Sequence, residues 1–202
     1  MANPQVSPNP VIIHFIGSPA VGKYTIASKV APVLPARLVD NHSIANVIFN
    51  VLDQDGIRPL PPGVWSHVSQ VRRAVLDAMI ELSPPHLSFV FTNYLRGGDP
   101  AEEVVFEELR ALAEVRRSAF VPVLLSCATD EVMRRVVRPD RRERMKLVDP
   151  GLAREFNEGP RFTTSHPNTL ELDVTHLPPE ESAARIVAWA NACRRSETTP
   201  AQ

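Results

Sequence analysis

The chain has 202 residues, of which 20 are proline and only 8 are glycine. A chain of this length buries about 70% of its unfolded surface, which suffices for one sizeable core. An apolar share of 44% excludes a low-complexity protein. The formal net charge of −1 excludes an overall field that would favour nucleic acid or an anionic membrane surface, and two cysteines are too few for a disulfide framework.

The two ends of the chain differ in composition from its middle. The amino terminus has neither a basic start nor an apolar signal segment, and no apolar stretch is long enough to span a bilayer. We therefore expect a cytoplasmic protein without a membrane partner. Because both ends are polar or proline-rich, we expect loose segments at residues 1–10 and 196–202 and a single domain at 11–195.

Short apolar runs alternate with amphipathic stretches between those ends. The apolar runs predict β-strands at residues 11–16, 37–39, 87–91, 120–126 and 170–174. The amphipathic stretches predict helices at residues 23–31, 44–52, 64–82, 100–117, 131–137, 152–156 and 179–193. Strands that alternate with helices indicate an α/β fold with a parallel sheet covered on both faces. Pro122 has no amide to donate, so we expect it at the entry of its strand or where no amide is needed.

The first predicted strand and helix are joined by a phosphate-binding motif. Its sequence reads G-x-x-x-x-G-K and consists of Gly17, Ser18, Pro19, Ala20, Val21, Gly22 and Lys23. Glycines let backbone amides converge on phosphate oxygens, the helix N-terminus adds partial positive charge, and the lysine ammonium reaches the terminal phosphates. The position between a buried strand and a helix is the context that this motif requires.

The residue after the motif departs from the usual pattern. Loops of this kind normally continue with Ser or Thr, whose hydroxyl binds magnesium, whereas this chain has Tyr24 and then Thr25. Thr25 is rotated by about 100° around the helix and does not simply inherit that role. We assign Asp40 and Thr25 as the predicted metal ligands. Either the coordination is rearranged or the activity is weakened.

Polar residues follow the second and third strands, at the sheet edge where open α/β sheets bind ligands. Asp40 can hold a hydrated magnesium ion, accept a proton from an attacking hydroxyl, or cap the next helix. After the third strand, Thr92 and Asn93 stand where an acidic residue is usual, and they either bind substrate or simply end the strand. Asp40, Asn93 and Arg96 are the predicted substrate-binding residues.

Seven cations lie between residues 134 and 146, which we name the basic segment. A charge run is often only a solvated helix face, but beside a phosphate loop arginines can neutralise a transferred phosphoryl group. Arg134 and Arg138 are spaced by one helical turn and can point the same way, so that one can stack on a base while the other reaches phosphate. Pro139 would then begin a lid. No aromatic residues are interleaved with these cations, which argues against nucleic acid as the partner.

The motifs resemble those of small P-loop kinases of the shikimate-, gluconate- and nucleotide-kinase type, and sequences called AAA family ATPases of this size. The resemblance covers residues 11–193 and is carried by GSPAVGKYT at 17–25, Asp40, the R-x-x-x-R-P-x-R pattern at 134–141 and LELDVTHLPPEESAARIV at 170–187. It implies a three-layer P-loop NTPase fold with a five-stranded parallel sheet in the order 2-3-1-4-5, an Arg-rich lid, and ATP and Mg²⁺ as cofactors.

The resemblance also implies roles for individual residues. The residues that would bind the nucleotide are those from Gly17 to Thr25, together with Arg134, Arg138, His176 and Pro178. The residues that would act in catalysis are Lys23, Asp40, Arg138 and Arg141, with Arg142 or Arg144 as further lid candidates. Trp65, His67, Arg72 and Arg73 are candidates for the acceptor pocket.

The sequence thus predicts an ATP-dependent kinase that moves the γ-phosphoryl group to a small hydroxylated metabolite or nucleotide. An ATP-binding switch or interaction protein with weakened catalysis is the alternative, and a kinase of nucleic-acid 5′-hydroxyls is a third hypothesis. The identity of the acceptor and the oligomeric state stay open.

Overall fold

A computed structural model describes residues 9–52 and 60–196. Residues 1–8, 53–59 and 197–202 lie outside this description, and with them most of both expected loose segments and of the loop predicted after residue 52. None of the helices in the described ranges combines the length and apolarity needed to cross a bilayer.

Five strands form one parallel sheet in the order β2-β3-β1-β4-β5. The strands are β1 (Val11–Ile16), β2 (Ala36–Asp40), β3 (Ser88–Asn93), β4 (Ala119–Ser126) and β5 (Leu170–Asp173). The predicted number and order of the strands are confirmed. β1 is central and buried along its whole length, which explains why its sequence is a continuous apolar run rather than an alternating one.

Helices cover both faces of this sheet. They are α1 (Lys23–Val33), α2 (Asn41–Phe49), α3 (Val64–Glu81), α4 (Pro100–Val115), α5 (Thr129–Val136), α6 (Pro139–Glu143), α7 (Pro150–Glu158) and α8 (Pro179–Ser196). On β1, Val11, Ile13 and Phe15 pack with α1 and α8, whereas Ile12 and Ile16 pack with α3 and α4. The period of two along the strand thus assigns its side chains to the two cores of a three-layer fold.

Most helix boundaries differ from the sequence prediction by one to three residues, α6 was not predicted, and two of the differences have a clear cause. α1 continues through Pro32 to Val33, although Pro32 was predicted to end it. Pro32 is exposed in the last turn, where the carbonyl that loses its helical partner is accessible to water. α2 begins at Asn41, three residues earlier than predicted, and the Asn41 amide donates to the Thr92 hydroxyl of β3 at 3.3 Å. The start of α2 is therefore fixed by a hydrogen bond to a distant strand and not by a capping side chain, so the local sequence does not reveal it.

Pro122 lies in the middle of the sheet without costing a hydrogen bond. It pairs in register with His14 of β1, but the ladder between β4 and β5 begins only at Val123. The carbonyl of Phe120, which points to the same side as Pro122, accepts from the side chain of Asn168 at 3.1 Å. Pro122 therefore faces the region that precedes β5, where no amide is needed, as predicted.

Candidate functional site

The phosphate loop connects β1 to α1 at the carboxyl edge of the sheet, where the sequence predicted it. Its two glycines are needed for different reasons. A Cβ atom on Gly17 would lie 2.6 Å from the carbonyl oxygen of Leu125. Because β4 approaches so closely, this position has no room for a side chain. Gly22 has a φ of +113°, a backbone conformation that residues with a side chain rarely adopt.

The ammonium group of Lys23 folds back over this loop. Its Nζ donates to the carbonyl oxygens of Gly17 at 2.6 Å and Ser18 at 2.9 Å. Burial, together with the nearby charges of Arg141 and Lys146, lowers the pKa of Lys23 to about 7. These neighbours would favour an anion beside the ammonium, since an anion offsets the repulsion among three cations.

Asn157 of α7 fixes the loop from the other side. Its Oδ1 accepts from the Ser18 hydroxyl at 2.6 Å, and its Nδ2 donates to the Cys127 carbonyl and the Thr129 hydroxyl, both at 3.1 Å. The side chain of Asn157 is buried and therefore ties α7 and the start of α5 to the phosphate loop. The sequence contains no local signal for this role, because the partners are separated by up to 139 residues.

Asp40 lies at the end of β2, as predicted, and its side chain makes no capping hydrogen bond to α2. Its Oδ1 accepts from the Thr92 hydroxyl at 2.5 Å, and its Oδ2 lies 3.2 Å from Nζ of Lys146 and 3.9 Å from Nδ1 of His42. Burial works against the carboxylate, but Lys146 and the bond from Thr92 outweigh it and lower the pKa of Asp40. Burial and the charge of Lys146 lower the pKa of His42 to about 4, so this ring is neutral.

The ring of Tyr24 is in contact with two cations of the basic segment. The guanidinium carbon of Arg144 lies 4.2 Å from the centroid of the Tyr24 ring, and Nζ of Lys146 lies 4.5 Å from it. Both distances are those of cation–π contacts. Thr25, which was predicted to bind the metal together with Asp40, is exposed on α1.

The arginines of the basic segment have different surroundings. Arg141 is largely buried, and its Nε and Nη2 donate to the Leu147 carbonyl at 3.0 and 2.8 Å. Arg135 donates to the Val21 carbonyl of the phosphate loop at 2.9 Å and to Val174 at 3.0 Å. Sequence reasoning missed Arg135, since nothing local distinguishes it from its neighbours.

Arg138 lies outside the helix that carries Arg134. α5 ends at Val136, and Arg138 has an extended backbone in front of Pro139, because the residue before a proline is disfavoured in a helix. Both arginines are exposed, and Arg134 pairs with Glu131 on its own helix. Their predicted contacts with a nucleotide stay predictions. Pro139 begins α6 as its first residue, and the predicted Arg-rich lid stays a prediction as well.

The end of β3 is connected to the core by a chain of side chains. Asn93 donates through Nδ2 to Oδ1 of Asn41 at 3.1 Å, and its Oδ1 lies 3.1 Å from Nε2 of His14. Burial lowers the pKa of His14 to about 3, so the ring is neutral and donates to Asn93. Arg96 is exposed and forms an isolated antiparallel bridge with Arg161. The substrate roles of Asn93 and Arg96 stay predictions.

A shallow, open cavity of about 500 Å³ lies beside the last strand. Its lining includes His176, which together with Pro178 was predicted to border adenine; the full lining is Ala128, Asp173, Thr175, His176 and Leu177. Pro178 itself is exposed. Thr175 fixes this end of the sheet by accepting from the Ala128 amide at 2.8 Å.

The candidate acceptor residues on α3 have other partners. Arg72 and Arg73 both pair with Glu108 of α4, each at 2.8 Å, so their charges hold two helices together. The ring of Trp65 packs edge-on against Phe49 and remains 57% exposed. His67 is exposed. Within the described residues both arginines thus have a carboxylate partner, and their role toward an acceptor stays a prediction.

Comparison with known proteins gives the fold. No protein-family model and no curated protein matches the chain. A candidate kinase from Chloroflexus aurantiacus J-10-fl is 19% identical, has a TM-score of 0.65, and is matched over 94% of this chain and 98% of its own. A gluconokinase from Sinorhizobium meliloti 1021 is 14% identical with a TM-score of 0.63 over 93% and 95% of the chains.

A third solved structure holds ligands. It is the Mycobacterium tuberculosis APS kinase in complex with AMPPNP and APS, which is 14% identical, has a TM-score of 0.57, and is matched over 91% of this chain and 99% of its own. The sheet order, the flanking helices and these full-length matches agree with one another. The chain therefore has the fold of the small P-loop kinases.

Proposed function

We propose that this protein binds ATP at the phosphate loop and transfers the γ-phosphoryl group to a hydroxyl of a small metabolite or nucleotide. The observation that carries the proposal is the loop itself. A G-x-x-x-x-G-K turn between a buried strand and a helix lies at the same sheet edge as the carboxylate of Asp40. The similarity to kinases of small molecules supports the same reaction class.

The nucleotide would lie along the edge from the phosphate loop to the cavity at His176. The amides of the loop and the first turn of α1 would receive the phosphate oxygens. The Lys23 ammonium would leave the carbonyls of Gly17 and Ser18 for the terminal phosphates. The base would occupy the cavity of about 500 Å³ beside β5.

The transfer step requires little covalent chemistry from the protein. The oxygen of the acceptor hydroxyl forms a bond to the γ-phosphorus, the bond from that phosphorus to the β–γ bridging oxygen breaks, and ADP leaves with the electron pair. The hydroxyl proton would pass to the carboxylate of Asp40, beside which the ammonium of Lys146 lies at 3.2 Å. Positive charge from Lys23 and the basic segment, with Arg138 and Arg141 as the predicted catalytic arginines, would stabilise the charge that develops.

Magnesium, the second predicted cofactor, does not fit the residues that this site presents. Tyr24 stands where a hydroxyl ligand is expected, and two cations cover its ring. Both oxygens of Asp40 already have partners, one of them the ammonium of Lys146. The transfer described above therefore involves no step through a metal ion.

The proposal is tested by a transfer assay with ATP labelled on the γ-phosphate. A panel of sugar acids, polyols, nucleosides and nucleotides is offered as acceptor, with Lys23→Ala as the inactive control. We expect one chemical class of acceptor to become labelled by the wild type only. Failure to bind ATP at all would contradict the proposal. A cytoplasmic location and a single domain at 11–195 belong to the same proposal.

A second candidate function is an ATP-binding protein that does not turn over its nucleotide. It is favoured by Tyr24 in the position of the usual Ser or Thr, and by Thr92 and Asn93 at the end of β3, where a carboxylate is usual. Calorimetry and the transfer assay separate the two functions. ATP binding together with no labelled product from a broad panel would favour the second function, whereas any labelled small molecule would exclude it.

A further inference from the structure

Four cations, Lys23, Arg141, Arg144 and Lys146, lie near one another beside the phosphate loop. The charges of Arg141 and Lys146 act on Lys23, those of Arg141 and Arg144 act on Lys146, and the carboxylate of Asp40 lies beside both lysines. Two of these cations are lysines, in a chain that has only three. An excess of like charge is costly in the absence of an anion, so this arrangement is suited to a ligand with several negative charges.

Lys146 occupies the central place in this group. Its side chain is only 10% exposed, and its ammonium lies between the carboxylate of Asp40 at 3.2 Å and the ring of Tyr24 at 4.5 Å. Asp40 was the carboxylate assigned to a metal, and Tyr24 stands in the position of the metal-binding hydroxyl. One ammonium thus touches both residues between which a divalent cation is expected.

The contacts of Lys146 are specific to its chemistry. The face of a tyrosine ring attracts an ammonium through its π-electrons, whereas it offers no oxygen ligand to a hydrated divalent ion. Arg144 lies on the same ring and orients the segment that carries Lys146. The Tyr24 ring therefore binds cationic side chains at the point where the hydroxyl of a Ser or Thr would bind magnesium.

We propose that the ammonium of Lys146, seated between Asp40 and Tyr24, takes the place of the divalent ion, so that the site binds a nucleoside triphosphate as the metal-free polyphosphate. This inference rests on the proposed binding of ATP at the loop. The ligand class is a polyphosphate chain that still carries its full negative charge. Lys23 and Lys146 would neutralise it from two sides, with the arginines of the basic segment around them.

The test is a pair of calorimetric titrations of the wild-type protein with the non-hydrolysable analogue AMPPNP. One titration contains an excess of Mg²⁺ and the other an excess of EDTA. We expect the two Kd values to agree within about threefold, which is less than about 1 kcal/mol. Binding that is at least about tenfold weaker in EDTA would overturn the inference and leave the proposed binding function intact. No binding in either buffer would overturn both.

Two lysine substitutions with the same chemical change provide the matched comparison. Lys146→Met removes the seated ammonium, whereas Lys29→Met removes an exposed lysine that pairs with Glu180 at 2.7 Å on the α1–α8 face. We expect Lys146→Met to weaken AMPPNP binding in EDTA by about tenfold or more and to make binding dependent on Mg²⁺. Lys29→Met should behave like the wild type in both buffers.

Lys146→Arg is the second variant, since it keeps a positive charge if Lys146→Met folds poorly. It should retain binding in EDTA, and circular dichroism establishes that each variant is folded. An unchanged ratio of the two Kd values in folded Lys146→Met would overturn the role of Lys146. The wild-type pair of titrations decides the inference even if neither variant can be purified.

Discussion

The phosphate loop and the basic segment both bring positive charge to the carboxyl edge of the sheet, but they do so by different means. The loop uses its backbone, which two glycines and the start of α1 shape within nine residues. The basic segment uses side chains, and only some of its cations reach the site. Charge that is built from backbone geometry can be predicted from a short motif, whereas charge that is delivered by side chains depends on the fold around it.

The different fates of the cations in the basic segment illustrate this. Arg135 and Arg141 donate to backbone carbonyls, Arg144 and Lys146 lie on Tyr24, and Arg138 is exposed. The same residue type thus fulfils three roles within a few positions. A charge count along the sequence cannot separate these roles.

Substitution of Lys23 addresses the loop directly and should have the largest effect. Lys23→Ala removes a cation placed for the terminal phosphates, so we expect phosphoryl transfer to fall on the order of 10²-fold or more. Lys29→Ala is the control of the same kind outside the site. The quantity to measure is kcat in the γ-phosphoryl transfer assay, and full activity of Lys23→Ala would remove Lys23 from the mechanism.

Substitution of Asn157 tests how the loop is supported. Asn157→Ala leaves the buried Ser18 hydroxyl and Cys127 carbonyl without this partner, so we expect the free energy of unfolding to fall by about 2 kcal/mol. Asn50→Ala, at an exposed position after α2, is the matched control and should lie within about 0.5 kcal/mol of the wild type. Urea unfolding measures both, and equal stabilities would show that α7 does not hold the loop.

The buried ring of His14 predicts a dependence of stability on pH. Burial among Asn93, Phe106 and Phe120 lowers its folded-state pKa to about 3, against 6.5 in the unfolded chain. As the pH falls below 6.5, the unfolded chain takes up a proton that the folded protein excludes. The free energy of unfolding therefore decreases with falling pH until about 3 and is unaffected by this group above 6.5.

The contribution of His14 between pH 6.5 and 5 is on the order of 1–2 kcal/mol. Urea unfolding of the wild type and of His14→Gln across this range isolates it, because the variant has no ring to protonate. The wild type should lose more stability than the variant. Parallel pH profiles would contradict the assigned environment of His14.

Substitution of Tyr24 tests the contact between the two regions and should have the smallest effect. Tyr24→Leu removes the ring under Arg144 and Lys146, which weakens the docking of the basic segment by about 1 kcal/mol, whereas Tyr24→Phe keeps the ring. Trypsin, which cleaves after arginine and lysine, reports the docking. Cleavage within residues 138–146 should be several-fold faster in Tyr24→Leu than in Tyr24→Phe, and equal rates would show that the ring does not hold the segment.

The elements of the sheet were predictable because their signals are local. The continuous apolar run of β1, the motif after it and the alternation of strands and helices give the fold class, and the resemblance gives the strand order. The position of Asp40 at the edge of the sheet follows in the same way. The position of Pro122 was predicted correctly because proline has no amide hydrogen to donate, whatever the surrounding fold.

The rest of the site depends on contacts between distant parts of the chain. Asn157 and Ser18 form a hydrogen bond although they are 139 residues apart, and the sequence around either residue does not predict this contact. Helical spacing allowed a common direction for Arg134 and Arg138, but Arg138 lies outside α5 with an extended backbone in front of Pro139. A weaker signal did exist for Lys146, since lysine is rare in this chain and one of its three lysines ends the phosphate motif.

The most direct test of the central claim observes the loop itself while the nucleotide binds. In a ¹⁵N-labelled sample, the backbone amide signals of residues 20–25 should shift when ATP is added and should stay unchanged with adenosine, because the triphosphate is what the loop recognises. The amides around Thr175 and His176 should respond to both ligands. Shifts confined to other parts of the chain, or none at the loop with saturating ATP, would contradict the assignment of this loop as a nucleotide site.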